Sequence, residues 1–111
     1  MQEGIGEVKI RIPKSISKGE IIKVQALIKH PMETGLREDK KTGEKIPAHY
    51  IHDVSIYYGD TMITRCDWTI AISTNPLITF YLKADRSAPL KIIWKDNKGG
   101  VYQETVQINP Q

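Results

Sequence analysis

Only one cysteine, Cys66, stands among the 111 residues. A lone thiol fits a reducing compartment, or a protein that does not rely on bridges. No stretch reaches the roughly 18 consecutive apolar residues that a membrane helix needs. The N-terminal residues Met1-Gln2-Glu3-Gly4-Ile5-Gly6-Glu7 lack a basic region and an apolar core. No secretory signal is expected there, and by itself that reading points to the cytoplasm. Charge of one sign is scarce. The formal net charge is +3, and the lysines are spread at alternating positions rather than gathered in a tract. Nucleic-acid binding is therefore not expected. No window carries a 3.6-residue apolar stripe with caps, so no helix is expected either.

What is present is alternation. Hydrophobic residues make up 40% of the chain, enough for one domain over residues 1–111 that buries roughly 65% of its unfolded surface without disulfide or metal. Val8, Ile10 and Ile12 alternate with Lys9 and Arg11. Ile22, Val24, Ala26 and Ile28 alternate with Lys23, Gln25 and Lys29. Val54, Ile56 and Tyr58 share a face opposite Asp53 and Ser55. Thr61 to Trp68 forms a shorter, mixed strand. Ile78, Phe80, Leu82 and Ala84 follow, then Leu90, Ile92 and Trp94, then Tyr102, Val106 and Ile108. Period two predicts seven strands. Lys18-Gly19, Gly59-Asp60, Asn75-Pro76, Ser87 to Pro89 and Asp96 to Gly100 supply the turns. Short strands at this spacing predict an all-β fold, a seven-stranded antiparallel immunoglobulin-like β-sandwich with Trp94 in its core.

One segment breaks the rhythm. Met32 to Ala48 has no strand pattern and carries Arg37, Glu38, Asp39, Lys40, Lys41, Glu44 and Lys45. A loop this long in a small domain is functional or simply solvated. Its recognition content is expected at its two ends, His30 to Gly35 and Ile46 to Tyr50. Pro31 and Gly35 stop regular structure and hold His30, Met32, Glu33 and Thr34 on a stiff corner.

Chemistry-bearing groups are few. His30, His49 and His52 flank one loop, but His49 and His52 are three apart in a strand pattern and tend to opposite faces. A transition-metal site also needs three or four ligands. Cys66 lies between Arg65 and Asp67, whose charges act oppositely on its thiol. Gly99-Gly100 precedes no helix and is a turn rather than a phosphate loop. Ser55, Ser73 and Ser87 lack an elbow-like glycine context. Glu38-Asp39 lies in the exposed loop, where a raised carboxyl pKa is not expected.

Several strings together resemble the SoxZ family. They are Arg11-Ile12-Pro13-Lys14 with Lys18-Gly19-Glu20, and His30-Pro31-Met32-Glu33-Thr34-Gly35 with Arg37. Ile46-Pro47, Asn75-Pro76, Phe80-Tyr81-Leu82-Lys83-Ala84, and Trp94 and Asp96 with Gly100-Val101 complete the pattern. The resemblance runs from about Val8 to Ile108. It implies an immunoglobulin-like sandwich without catalytic chemistry or cofactor, the partner of SoxY in thiosulfate oxidation. SoxY bears sulfur intermediates on a cysteine at the end of a glycine-rich arm. The present chain has no such ending, and Cys66 matches no part of that chemistry. Other Sox enzymes are implied as transient partners, and self-association without SoxY stays open. The resemblance also implies a periplasmic location, reached by export bound to a signal-bearing SoxY. SoxY is expected to cover a face carrying Tyr57, Trp68 and Tyr81. Partner binding is assigned to His30, Pro31, Met32, Glu33, Thr34 and Gly35, with Asn75 and Pro76.

A second resemblance supplies the alternative. Superoxide reductases share such a sandwich and bind one iron through four histidines and a cysteine. His30-Pro31-Met32 and His49-Tyr50-Ile51 are similar to two of their motifs. Their late Cys-Asn-x-His-Gly is replaced by Asp96-Asn97-Lys98-Gly99-Gly100, which leaves two of five ligands.

Overall fold

Seven strands form in chain order, and alternation is the reason each has a face to bury. The computed structural model describes residues 5–69 and 72–111. The strands are β1 (Val8–Arg11), β2 (Glu20–Ile28), β3 (Ile51–Tyr58), β4 (Thr61–Asp67), β5 (Leu77–Ala84), β6 (Ala88–Asp96) and β7 (Val101–Ile108). They make a three-stranded sheet, β1-β2-β5, and a four-stranded sheet, β4-β3-β6-β7. Every pairing is antiparallel. This is the expected immunoglobulin-like sandwich.

The inner faces are those that the alternation names. Ile22, Val24, Ala26 and Ile28 from β2 meet Val54, Ile56, Leu90, Ile92 and Trp94 from the other sheet in one buried cluster. Trp94 is fully buried. The first strand stops at Arg11 rather than Ile12, and the fourth at Asp67 rather than Trp68. Residue 68 closes that end instead, its N–H donating to the His52 carbonyl at 2.8 Å. Asp53 and Ser55 lie on the outer side of β3 as expected, yet both are buried. β3 is flanked by two strands, and the Arg65 guanidinium forks onto Asp53 at 2.9 and 3.3 Å. That fork holds the Asp53 carboxyl below the usual range.

The turns place the chain ends of the strands together at one end of the sandwich. β2 finishes at Ile28, β3 begins at Ile51, β5 begins at Leu77, and β6 finishes at Asp96 beside β7. The long loop leaves and returns at this same end. Its tip carries only a small ladder, with Glu38 bridged to Lys45.

The buried cluster predicts a sharp contrast. Ile92→Ala should cost about 2–5 kcal/mol of unfolding free energy. Ile21→Ala, on the outer side of β2, should cost under about 1 kcal/mol. Urea unfolding checks both.

Candidate functional site

Proline ends β2 because it has no N–H to continue the ladder. His30, just before it, is instead clamped by the Asn75 turn. The His30 N–H donates to Asn75 Oδ1 at 2.9 Å, and the Asn75 N–H returns to the His30 carbonyl at 2.9 Å. Asn75 holds a left-handed φ of 51°, a region that Asn enters at low cost through its short polar side chain. The Pro76 carbonyl accepts the Ile28 N–H at 3.3 Å. The two corners that the sequence singles out, 30–35 and 75–76, are therefore one structure.

Beneath this corner lies a buried carboxylate, Asp96. Its Oδ2 meets His30 Nε2 at 2.9 Å, His49 Nε2 at 3.0 Å and the Tyr102 hydroxyl at 2.8 Å. Its Oδ1 accepts the backbone N–H of Lys98 at 3.0 Å and of Gly100 at 2.7 Å. His30 Nδ1 faces the Pro31 carbonyl at 2.6 Å. The His30 and His49 rings meet edge to face with centroids 4.5 Å apart. Burial pushes the Asp96 carboxyl up, but hydrogen bonds from His30, Tyr102, Gly100 and His49 outweigh it and hold it well below the usual range. Burial and the bond to Asp96 push the Tyr102 phenol up to about 12.

Two glycines make room for this packing. A Cβ on Gly100 would lie 2.5 Å from the Tyr102 hydroxyl and 2.6 Å from Asp96 Oδ2. A Cβ on Gly6 would lie 2.5 Å from the Tyr102 ring.

The remaining corner residues divide by depth. Pro31 and Met32 are buried with His30, and Met32 Sδ lies 3.5 Å from the Ile51 N–H. Glu33, Thr34 and Gly35 are half-buried, Asn75 is exposed and Pro76 is buried. Glu33 and His49 exchange backbone hydrogen bonds at 2.9 and 3.0 Å. That bridge ties the loop's two ends. The Arg37 guanidinium pairs with Glu33 and lowers its carboxyl. Pro31, Glu33, Ile46, Pro47, His49 and Lys98 line a shallow depression above the network. His30 and Met32 face inward rather than toward solvent, because Asp96 and the start of β3 supply their partners. His52 is exposed and lies outside the network. Asp96 and Tyr102 carry no role in the sequence reading. Their signals were a turn and a family string for Asp96, and an inward aromatic for Tyr102.

The donor set decides what the site can do. His30, His49 and Asp96 bring three ligand-type atoms within 4.8 Å of one another. They do not fit the iron of superoxide reductases, which takes four histidines and a cysteine. Cys66, on β4, pairs with Val54 of β3 and is absent from this group. The Asp96 side chain is 1% exposed and already accepts five donors. The arrangement is a closed hydrogen-bonded anchor beneath a shallow, partly polar surface.

The immunoglobulin-like sandwich is a shared architecture, and the structural comparisons agree. The chain is similar to a superoxide reductase (neelaredoxin) variant from Ignicoccus hospitalis, with a TM-score of 0.72 and 19% identity, over 97% of this chain and 82% of that one. It is similar to a putative superoxide reductase from Thermotoga maritima, with a TM-score of 0.70 and 17% identity, over 94% and 85%. It is also similar to the sulfur carrier protein SoxY from Chlorobium limicola f thiosulfatophilum, with a TM-score of 0.60 and 11% identity, over 92% and 73%. At these identities the likeness concerns the fold alone. No curated protein matches the chain. Residues 10–107 match the family model of the sulphur oxidation protein SoxZ, so the chain belongs to the SoxZ family.

Two outcomes follow from the anchor. A carboxyl lowered in the fold contributes stability above its ordinary value near pH 4. That contribution is lost as pH falls through the lower folded value. Wild-type stability should therefore fall more steeply below about pH 4 than that of Asp96→Asn, while at pH 7 the variant is weaker by about 3 kcal/mol. Equilibrium unfolding at several pH values measures both. Gly100→Ala should cost about 1–3 kcal/mol through overpacking against Tyr102, which thermal unfolding reads directly.

Proposed function

We propose that this chain is the non-catalytic partner of a SoxY-like sulfur-carrier subunit in thiosulfate oxidation. The match of residues 10–107 to the SoxZ family carries the reading. The anchor supports it. Asp96 is tied to both histidines and His30 also to backbone, so the hydrogen bonds hold a shape.

In this reading the corner helps to present the carrier's cysteine-bound sulfur to other Sox enzymes, which bind transiently. His30, Pro31, Met32 and Pro76 set the corner's shape from below. Glu33, Thr34, Gly35 and Asn75 offer its accessible part. A corner fixed in advance loses little freedom on binding. The chain works in the periplasm in this proposal, exported together with the signal-bearing carrier subunit. Cys66 takes no part in sulfur chemistry.

Co-expression with a SoxY-like subunit should give a stoichiometric complex by gel filtration, and separate elution contradicts the proposal. Glu33→Ala with Thr34→Ala should leave the melting temperature within a few degrees, since surface changes usually stay within about 0.5 kcal/mol, while slowing sulfur transfer in the reconstituted system. Unchanged transfer by the folded variant removes the corner from the mechanism. Cys66→Ala should keep turnover within about threefold, far from the roughly 100-fold loss of a catalytic group. A loss of that size overturns the passive reading of the thiol.

A further inference from the structure

The outer side of the β1-β2-β5 sheet has a composition unlike the rest of the surface. Register puts Lys9 beside Leu27, Arg11 beside Gln25, Leu27 beside Leu77, Lys23 beside Tyr81 and Ile21 beside Lys83. All of these side chains share the face opposite the core. Its apolar members are open to solvent: Ile21 is 68% exposed, Leu77 55%, Leu27 41% and Tyr81 68%. Exposed apolar side chains scattered singly need no explanation. These lie on two paired strands, with Leu27 and Leu77 directly opposed.

The charges around them are mostly positive, with Glu7 paired to Lys29 at one end of the face. Lys9, Arg11, Lys23 and Lys83 stand on this face, and among the described residues none of them forms an ion pair. Lys9, Arg11, Gln25, Leu27 and Leu77 line a shallow groove across it. The outer side of the four-stranded sheet differs. There Arg65 is forked onto Asp53, and Lys91 sits over the Tyr57 ring at 5.5 Å from its centroid. Tyr57 is half-buried there, while Trp68 packs against the core. Among the described residues, the three-stranded sheet leaves four cations without an ion pair around its apolar centre.

We infer that the outer face of β1-β2-β5 is the docking surface for the SoxY-like carrier subunit. It meets a face of that subunit with carboxylates around an apolar centre. The inference rests on the proposed function and adds the location and the chemistry of the contact. Cations of one sign around Leu27, Leu77 and Tyr81 call for an opposing acidic rim, which sets orientation and speeds encounter. Tyr81 is the natural energetic anchor, because tyrosines at the centre of an interface carry a disproportionate share of binding.

Titration of the carrier subunit with purified variants tests this at several salt concentrations. Lys23→Glu with Lys83→Glu, and separately Tyr81→Ala, should each weaken binding about 30-fold. The charge pair should also flatten the salt dependence. Lys40→Glu with Lys41→Glu, the same charge change at the loop tip, should stay within about threefold of wild type. Melting temperatures near wild type establish that the variants are folded. Wild-type affinity in the face variants overturns the inference, and so does equal weakening by the loop pair. It also fails if the face variants lose self-association, or binding to anionic phospholipid vesicles, while keeping the carrier. A wild-type chain that forms no complex with the carrier overturns the proposed function itself, which is a different result.

Discussion

The Asp96 carboxylate is the interaction on which this molecule's functional end depends. A buried charge is tolerated only when its surroundings replace water. Here five donors do so, and they come from separated parts of the chain: residue 30 after β2, residue 49 before β3, residue 102 on β7, and two backbone amides of the β6–β7 turn. Removing any one leaves a charge short of a partner at a place with no solvent. The long loop can therefore vary at its tip while its two ends remain fixed. The Glu33–His49 bridge repeats that logic in the backbone.

The superoxide reductases share the fold at 15–20% identity, and fold alone does not transfer function. In this chain the strand-end cluster is closed by a carboxylate and a phenol. The groups that suggest a metal site are committed to holding two histidines, a turn and a proline corner together. What remains for solvent and partners is the depression above them and the outer faces of the sheets.

Much of the fold was legible because strand alternation is a local property. Ile22 to Ile28 and Leu90 to Trp94 show their buried faces two residues at a time, and the structure buries those residues. Strand ends were read one residue long at Ile12 and at Trp68, where side chains keep packing after the ladder stops. The site was legible only in part. Pro31, Gly35, Asn75 and Pro76 announce corners through backbone chemistry, and those corners are real. Their joining was not visible, because the His30–Asn75 clamp spans 45 positions. Asp96 was read as a turn residue, which it is, through its bonds to Lys98 and Gly100. Its second oxygen, and the inward turn of His30, depend on a contact across 66 positions that no local pattern encodes. Of the three aromatics assigned to a partner face, only Tyr81 is largely exposed, and sequence alternation alone did not separate it from Tyr57 and Trp68.

The central claim is that this chain acts by binding, through a surface held in place by a rigid sandwich. Methyl NMR of the labelled chain, titrated with unlabelled carrier subunit, tests it most directly. The account predicts that the methyl signals of Ile21, Leu27 and Leu77 shift or broaden at stoichiometric carrier, while those of Met62 and Ile63 on β4 stay in place. Changes confined to β4, or no change at saturating carrier, would contradict it.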